Sequence, residues 1–491
     1  MRYIDFHCHP AIKTFLGAYR EDERDNCWKT VNVKGPLELL DKLMKGILDS
    51  QCSLKQITDG NVCLAIVGLY ALERPLVYGE IKQVNRVFID LLTISNFVNK
   101  LDYKLLGSVA FGEKGYFTFL NELKQHLINS KDVGPGFKIL SSINDFDINR
   151  LNIIFTVEGS HALFHDVEHY TVQEVLGNLN QLKNEPYRYL FFTLAHVARN
   201  PLCNHAYGMK IIKHEKFIPQ GDGIEYLGYE VIKRLLDTEN NRRIYVDIKH
   251  MSLKARKQYY ELLKNEYRDV PVIISHAGVT GVSYTKMPVN KIEEEDNWVE
   301  VSYKKPKGLM NTGFNPWSIN LYDEEILTII ESNGIIGINL DERILGNKQN
   351  KKEDKTEYFS KSEFPYYNAV ADENRYGESW LSKVKNLIIR FFTFRKDIKH
   401  LANNILHIIK VGGEKAWEHV CIGSDFDGMI NPIETCRNAR KFKKLERNLV
   451  KMLPKMAKSD PDTNYFLDNP TDRVMQLMYG NVKRFLDIYF L

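Results

Sequence analysis

Eight short apolar runs recur along this chain, each separated from the next by a longer stretch, and no other feature restricts its folding as much. They are RYIDFHCH at 2–9, VCLAIVGLY at 62–70, NIIFTVEG at 152–159 and YLFFTLAH at 189–196. The second half adds IYVDIKH at 244–250, VPVIISHA at 270–277, GIIGINL at 334–340 and HVCIGSDF at 419–426. Most are continuously apolar where a half-exposed strand would alternate, which is the pattern of parallel strands buried on both faces. Helical periodicity falls between them, as in GYEVIKRLLD at 228–237 and EEILTIIES at 324–332. Eight β–α alternations in this order predict an α/β chain folded as a (β/α)₈ TIM barrel. An open doubly wound sheet is the alternative, weakened because no GxGxxG follows the first strand.

The whole length, 1–491, reads as one barrel domain with insertions near 10–60, 71–150, 281–318 and 345–385. The second of these is expected to hold an added strand at LLGSVAFG (105–112). In a barrel the loops after strands lie on the catalytic face, so the insertions are expected to form its rim. The polar stretch 345–385 reads either as a lid or as a solvated, partly disordered loop.

Charge and cysteine usage narrow the partners. A net charge of +4 spread over 491 residues, with both signs mixed throughout, argues against a nucleic-acid binder. The basic run KNLIIRFFTFRKDIK, ending at Lys399, is interleaved with apolar residues and reads as an amphipathic surface helix. No apolar stretch is long enough for a membrane span, and the first strand begins too early to leave room for a leader. The seven scattered cysteines lack CxxC spacing, which fits reduced thiols and a cytoplasmic location.

The strand ends carry the chemistry. In HCH, residues i and i+2 share one face of a strand, so His7 and His9 point together and Cys8 points away. That pair alone is a weak motif. The third run, however, ends in Glu158, the fourth in His196, the fifth in His250, the sixth in His276 and the eighth in Asp425. Each could have a bland explanation, His250 as a core histidine or Asp425 as a helix cap. Their joint placement where a barrel puts its active site predicts a metal centre. Imidazole and carboxylate donors suit zinc or a similar divalent ion. Their number exceeds what one four-coordinate ion needs, and Glu158 can bridge two. Two ions sharing a hydroxide would bring its pKa towards neutrality and polarise a carbonyl, with Asp425 passing a proton to the leaving group.

These blocks resemble the renal (membrane) dipeptidase family of zinc peptidases, peptidase family M19, within the amidohydrolase-like barrels. The resemblance runs through FTVEGSHAL, YRYLFFTLAH, YLGYEVIKRLLDTENNRRIYVDIKHMS, VPVIISHAG, NNILHIIKVGG, EHVCIGSDFDGM and MYGNVKRFL, in family-like order. It implies two zinc ions per chain and hydrolysis of a dipeptide or related small amide, and it leaves room for a homodimer. It implies that Glu158 bridges the ions, that His7, His9 and Asp425 hold the first, and that His250 and His276 hold the second. His196 would contact substrate and steady the tetrahedral oxyanion.

Two departures bear on the substrate. The family has HxD where this chain has HCH, so the site loses a negative charge. The family's carboxylate-binding arginine has no counterpart in SINLYDEEIL (318–327). Lys286 or Arg343 is the candidate replacement, although a lysine does not reproduce a bidentate clamp. A deaminase, lactonase or phosphoesterase on the same barrel, or a non-catalytic metal-binding protein, are the competing readings. Asp427 is read as holding its loop or touching substrate, and Asp247 as a support for the site or a buried acid. His161, His165, His400 and His407 are read as structural or exposed.

Overall fold

The computed structural model describes residues 2–17, 26–32, 49–77, 103–208, 215–239, 242–346, 356–367, 397–460, 465 and 467–491. Eight parallel strands form its centre: β1 (Tyr3–Cys8), β2 (Val62–Tyr70), β3 (Asn152–Glu158), β4 (Tyr189–Thr193), β5 (Tyr245–Asp247), β6 (Ile273–Ala277), β7 (Ile335–Ile338) and β8 (Val420–Ile422). Each pairs with the next in chain order, and a short pair at Lys138–Ile139 adds to the outer edge of β3. The ring closes where β1 meets the end of β8. His9 N–H donates to the Phe426 carbonyl and Asp425 N–H to the His7 carbonyl, both at 2.9 Å. The result is the nearly closed TIM-like barrel that the eight apolar runs predict, and every strand is buried along its length.

From β3 onward every strand except β6 stops short of the end of its apolar run, because the residues that follow turn into loops at the barrel mouth. One expectation is corrected. LLGSVAFG lies in a helix, Tyr103–Ala110, and not in an added strand. Leu105, Leu106 and Val109 are buried while Phe111 is 74% exposed, so the apolar residues follow helical spacing and line one side.

The insertions build structure on the rim. Val289–Glu294, Trp298–Tyr303 and Thr356–Ser360 pair as a three-stranded antiparallel sheet with its own apolar cluster, including Val299, Val301, Tyr303, Trp317 and Phe359. Thus part of the polar 345–385 stretch is a buried strand, and its residues 347–355 and 368–385 lie outside the described residues. Most of KNLIIRFFTFRKDIK also lies outside them; its end enters the helix Asp397–Gly412, which packs by Ile398, Leu401, Ile405 and Ile408. Among the described residues no helix is long and apolar enough to cross a membrane. All seven cysteines are buried free thiols.

Inside the barrel, paired acids and glycines set strand spacing. Asp5 on β1 accepts from Ser424 N–H at 2.9 Å and Ser424 Oγ at 2.6 Å. Asp247 on β5 does the same with Ser275 on β6, at 3.0 and 2.6 Å, and also accepts from Thr193 Oγ1 at 2.8 Å. A Cβ at Gly337 or Gly423 would lie 1.8 or 1.9 Å from the Ser275 carbonyl oxygen, so those strands approach too closely for any side chain. Backbone cannot step aside there as a flexible side chain can. Gly337→Ala is therefore expected to cost about 3 kcal/mol, the upper range for overpacking, as a lowered urea midpoint with unchanged slope.

Candidate metal centre

The last residue of β3 organises the mouth of the barrel. Glu158 is 3% exposed, and its two oxygens face different histidines. Oε2 lies 3.0 Å from His9 Nε2 and 3.5 Å from His7 Nε2. Oε1 lies 3.4 Å from both His250 Nε2 and His276 Nε2, and 3.8 Å from His196 Nε2. Asp425 sits across them, with Oδ1 3.6 Å from His9 Nε2 and Oδ2 3.8 Å from His276 Nε2. The Asn339 amide donates to Asp425 Oδ2 at 3.0 Å and holds the carboxylate in place. All seven strand-end residues expected from the sequence are buried around one point.

The histidines are built to present Nε2. His9 Nδ1 donates to the Gly68 carbonyl at 2.8 Å, an acceptor only, which fixes the tautomer. His276 Nδ1 meets Ser275 Oγ at 2.8 Å, and that hydroxyl in turn donates to Asp247. His196 Nδ1 donates to Glu73 Oε2 at 2.7 Å. Outward N–H bonds of this kind orient metal-binding imidazoles and raise their basicity. Gly68 makes the space, since a Cβ there would lie 2.7 Å from His9 Cε1 and 2.8 Å from His7 Cε1.

The donor set fits a metal ion. Three trios have donor atoms within 4.8 Å of one another: His7–His276–Asp425, His7–His9–Glu158, and Glu158–His196–His250. Both ring nitrogens of His250 and Nδ1 of His7 are buried without a hydrogen-bond partner. Orphaned nitrogens beside a carboxylate are costly unless a cation takes the lone pairs. His250 and Asp425 also hold left-handed backbone, with φ of 67° and 60°. For residues with a side chain that costs on the order of 1–3 kcal/mol, and such strain gathers at functional sites.

Burial and charge divide the histidines. Burial opposes charge on His9, but Glu158 and Asp425 outweigh it and hold the imidazole well above its usual range. Burial, then the nearby charge of Lys249, pushes His250 down to about 3. Burial and His7 hold His276 well below its usual range. Burial works against the Glu158 anion, yet His7 and His9 keep its carboxyl well below the usual carboxylate range. On its Oε1 side, an acid that stays ionised beside the neutral imidazoles of His250 and His276 is ready to ligate.

Sequence reading missed two neighbours. Glu73, just past β2, is 2% exposed and paired to His196; burial opposes its ionisation, but His196 draws its carboxyl down to about 2. Lys249 is 1% exposed, its Nζ has no hydrogen-bond partner, and burial lowers it to about 8 despite Asp425, Asp247 and Glu158. A signal for it was present: a lysine inside VDIKH, between a buried acid and a strand-end histidine. No comparable spacing points to Glu73.

The remaining candidates have ordinary surroundings. Asp427 accepts from Gln51 and Cys52 N–H at 2.9 and 3.0 Å and so ties down its loop. Asp247 reaches His276 through Ser275. Buried His161 contacts the Ala71 carbonyl at 2.6 Å, and His165 is exposed. His400 is buried, and His407 pairs with Asp323 at 2.7 Å. Arg343 grips Asp341 through Nε at 2.9 and 3.1 Å and donates from Nη2 to the Met429 carbonyl. Its side chain remains 29% exposed. Lys286 ends the exposed turn Tyr284–Lys286.

A parallel barrel with buried imidazoles and carboxylates gathered at its strand ends has the build of a metallo-hydrolase. Residues 312–460 match the family model of membrane dipeptidase, peptidase family M19. Three solved structures are similar at low identity. A dipeptidase of family M19 named dipeptidase AC is 14% identical with a TM-score of 0.47, over 100% of this chain and 99% of that one. A metallopeptidase from Rhodobacter sphaeroides, solved with a phosphinate mimic of the dipeptide L-Ala-D-Ala, is 13% identical with a TM-score of 0.49, over 100% and 99%. The probable dipeptidase PvdM from Pseudomonas aeruginosa is 14% identical with a TM-score of 0.47, over 94% of this chain and 90% of that one. A comparison with curated protein sequences found no match.

Beside the centre, His205 is fully buried, bonded only through Nε2 to the Phe217 carbonyl, and burial pushes it down to about 4. Unfolded, it would take a proton near its ordinary value of about 6.5. Between those values the unfolded chain binds the extra proton, so stability falls as pH drops from about 6.5 to about 4. His205→Gln is expected to flatten that decline in urea titrations across the window.

Proposed function

We propose that this chain is a binuclear zinc hydrolase that cleaves the amide bond of dipeptides or closely related small amides. The observation that carries the reading is Glu158, whose Oε2 faces His7 and His9 while Oε1 faces His250 and His276. A carboxylate divided in this way suits a bridge between two ions. His7, His9 and Asp425 would complete the first site, and His250 and His276 the second. Bound there, two divalent ions supply an acidified water and a polarised substrate carbonyl.

The chain's own groups do the rest. His196 gives Nδ1–H to Glu73, and although burial opposes charge on the ring, Glu73 holds it above its usual range, so that an Nε2–H would be available to the oxygen that gains charge as the carbonyl becomes tetrahedral. Asp425, held by Asn339, takes the proton of the attacking water and passes it to the departing amine. Asp247 and Ser275 keep His276 in register. Arg343, anchored from behind by Asp341 and partly exposed, is the cation proposed to receive a substrate carboxylate. Lys286, on its exposed turn, is the weaker choice. The HCH sequence and the absent family arginine favour, as second reading, another amide, lactone or phosphoester on the same centre.

Metal analysis of purified protein is expected to find about two zinc ions per chain, with chelation abolishing and zinc restoring dipeptide cleavage. Glu158→Ala is expected to lose bound metal together with activity, by at least the ~10–100-fold seen when metal-site support is removed. Metal-replete protein that turns over lactones or phosphoesters and no dipeptide would select the second reading. Metal-replete protein inert on a broad hydrolase panel would mean a non-catalytic metal binder.

Arg343→Met is expected to raise KM for a dipeptide about tenfold or more, since removing a charged partner costs about 1.5–3 kcal/mol. A substrate whose terminal carboxylate is amidated should lose this discrimination.

A further inference from the structure

We propose that Glu363, on the rim insertion, is a positioning residue that holds His250 in the metal centre by clasping the loop behind it. The inference rests on the reading of His250 as a ligand of the second ion. His9, His196 and His276 each have Nδ1 bonded to a neighbouring group, so their rings are oriented from behind. His250 Nδ1 has no hydrogen-bond partner among the described residues. His7 shares that lack but stands within the regular strand β1. The direction of the His250 ring is therefore left to its backbone, which is left-handed with φ of 67°. Such a conformation is strained for a residue with a side chain and persists only where the surroundings hold it.

Those surroundings are two loops bonded to each other. The His250 carbonyl accepts Ala206 N–H at 2.7 Å, and the Asn204 carbonyl accepts Ser252 N–H at 3.0 Å. Arg256 Nη1, from the helix Leu253–Glu266, donates to the Met251 carbonyl at 2.7 Å. Glu363 adds the contact from the rim. Its Oε1 accepts the Ser252 hydroxyl at 2.9 Å and also Gly223 N–H, and the Gly223 carbonyl accepts Asn204 N–H at 2.8 Å. Ser252 Oγ accepts Ala255 N–H at 3.2 Å as the cap of its helix, which leaves its single proton for Glu363. Tyr367 Oη accepts Leu253 N–H at 3.2 Å. Glu363 and Tyr367 are 1% and 2% exposed, and they follow Thr356–Ser360, so a folded element carries the clasp. One carboxylate oxygen thus ties the loop leading on from His196 to the loop that bears His250.

The test compares Glu363→Ala with Glu363→Gln, whose side-chain carbonyl can accept from the same two donors. Zinc binding is followed by competition with a chelating dye, and the backbone by hydrogen exchange of metal-free protein. Wild type and Glu363→Gln are expected to bind two zinc ions alike. Glu363→Ala is expected to weaken one binding step about 10–100-fold and leave the other within about twofold. In the metal-free variant the Ala206 and Ser252 amides are expected to exchange about tenfold faster, with those of β2 and β3 unchanged. Two unchanged zinc steps would overturn the proposal. So would both steps weakened alike, or faster exchange throughout the barrel, since these mark a general loss of structure. A Glu363→Gln protein that behaves as Glu363→Ala would overturn it as well. If Glu363→Ala does not fold, Glu363→Asp, whose shorter side chain draws the oxygen back from both donors, takes its place. If wild type binds fewer than two zinc ions, the binuclear reading fails, and the exchange measurement still decides the clasp.

Discussion

Glu158 draws five imidazole rings to within 3.8 Å of one carboxylate, all of them buried at the mouth of the barrel. One anion cannot balance five cations in such a place, and burial prevents His250 and His276 from charging. His250 and His276 are held neutral, so their lone pairs turn toward an oxygen that also bears lone pairs. Lone pair facing lone pair in a low dielectric is repulsive. A divalent cation between the groups reverses the sign of every one of those contacts. The fold thus keeps in place an arrangement that is unfavourable alone and favourable around metal.

Holding it requires rigidity from behind. Gly68 offers its carbonyl to His9 and, by having no side chain, leaves room for both strand-one rings. Ser275 serves two purposes: its Oγ links His276 to Asp247, and its carbonyl sets the close approach of Gly337 and Gly423. The strand packing and the metal centre are therefore coupled through one residue. Left-handed backbone at His250 and Asp425 places both side chains where a regular strand would not, and the surrounding barrel absorbs the strain.

The eight strands were legible because parallel strands buried on both faces leave continuous apolar runs, and the site was legible because such strands end at the catalytic mouth. LLGSVAFG misled because Leu105, Leu106 and Val109 in a short window satisfy a strand or a helix until packing chooses the face. The rim sheet was invisible for another reason. Val289–Glu294 mixes polar and charged residues with only two apolar ones, and Thr356–Ser360, which pairs with the middle strand Trp298–Tyr303, lies far along the chain, beyond β7. Glu73 was equally out of reach, since its meaning lies in a contact with His196 across 123 positions. Local spacing reports on strands; it does not report on which loop folds over them.

His9 and the missing arginine belong together under the proposed assignment. With histidine in place of aspartate, the anionic ligands around two divalent ions are Glu158 and Asp425, and Lys249 adds a further basic group beside them. The centre is then more positive than one built with HxD. A positive centre lowers the pKa of a bound water and attracts a carboxylate through its field, without needing a second cation in bidentate contact. The same field acts on His250, which burial and then the nearby charge of Lys249 push down. A substrate with one carboxylate close to its scissile amide would satisfy that excess, whereas a neutral amide would leave it uncompensated. Under that assignment the second histidine would favour anionic substrates even where the arginine clamp is absent.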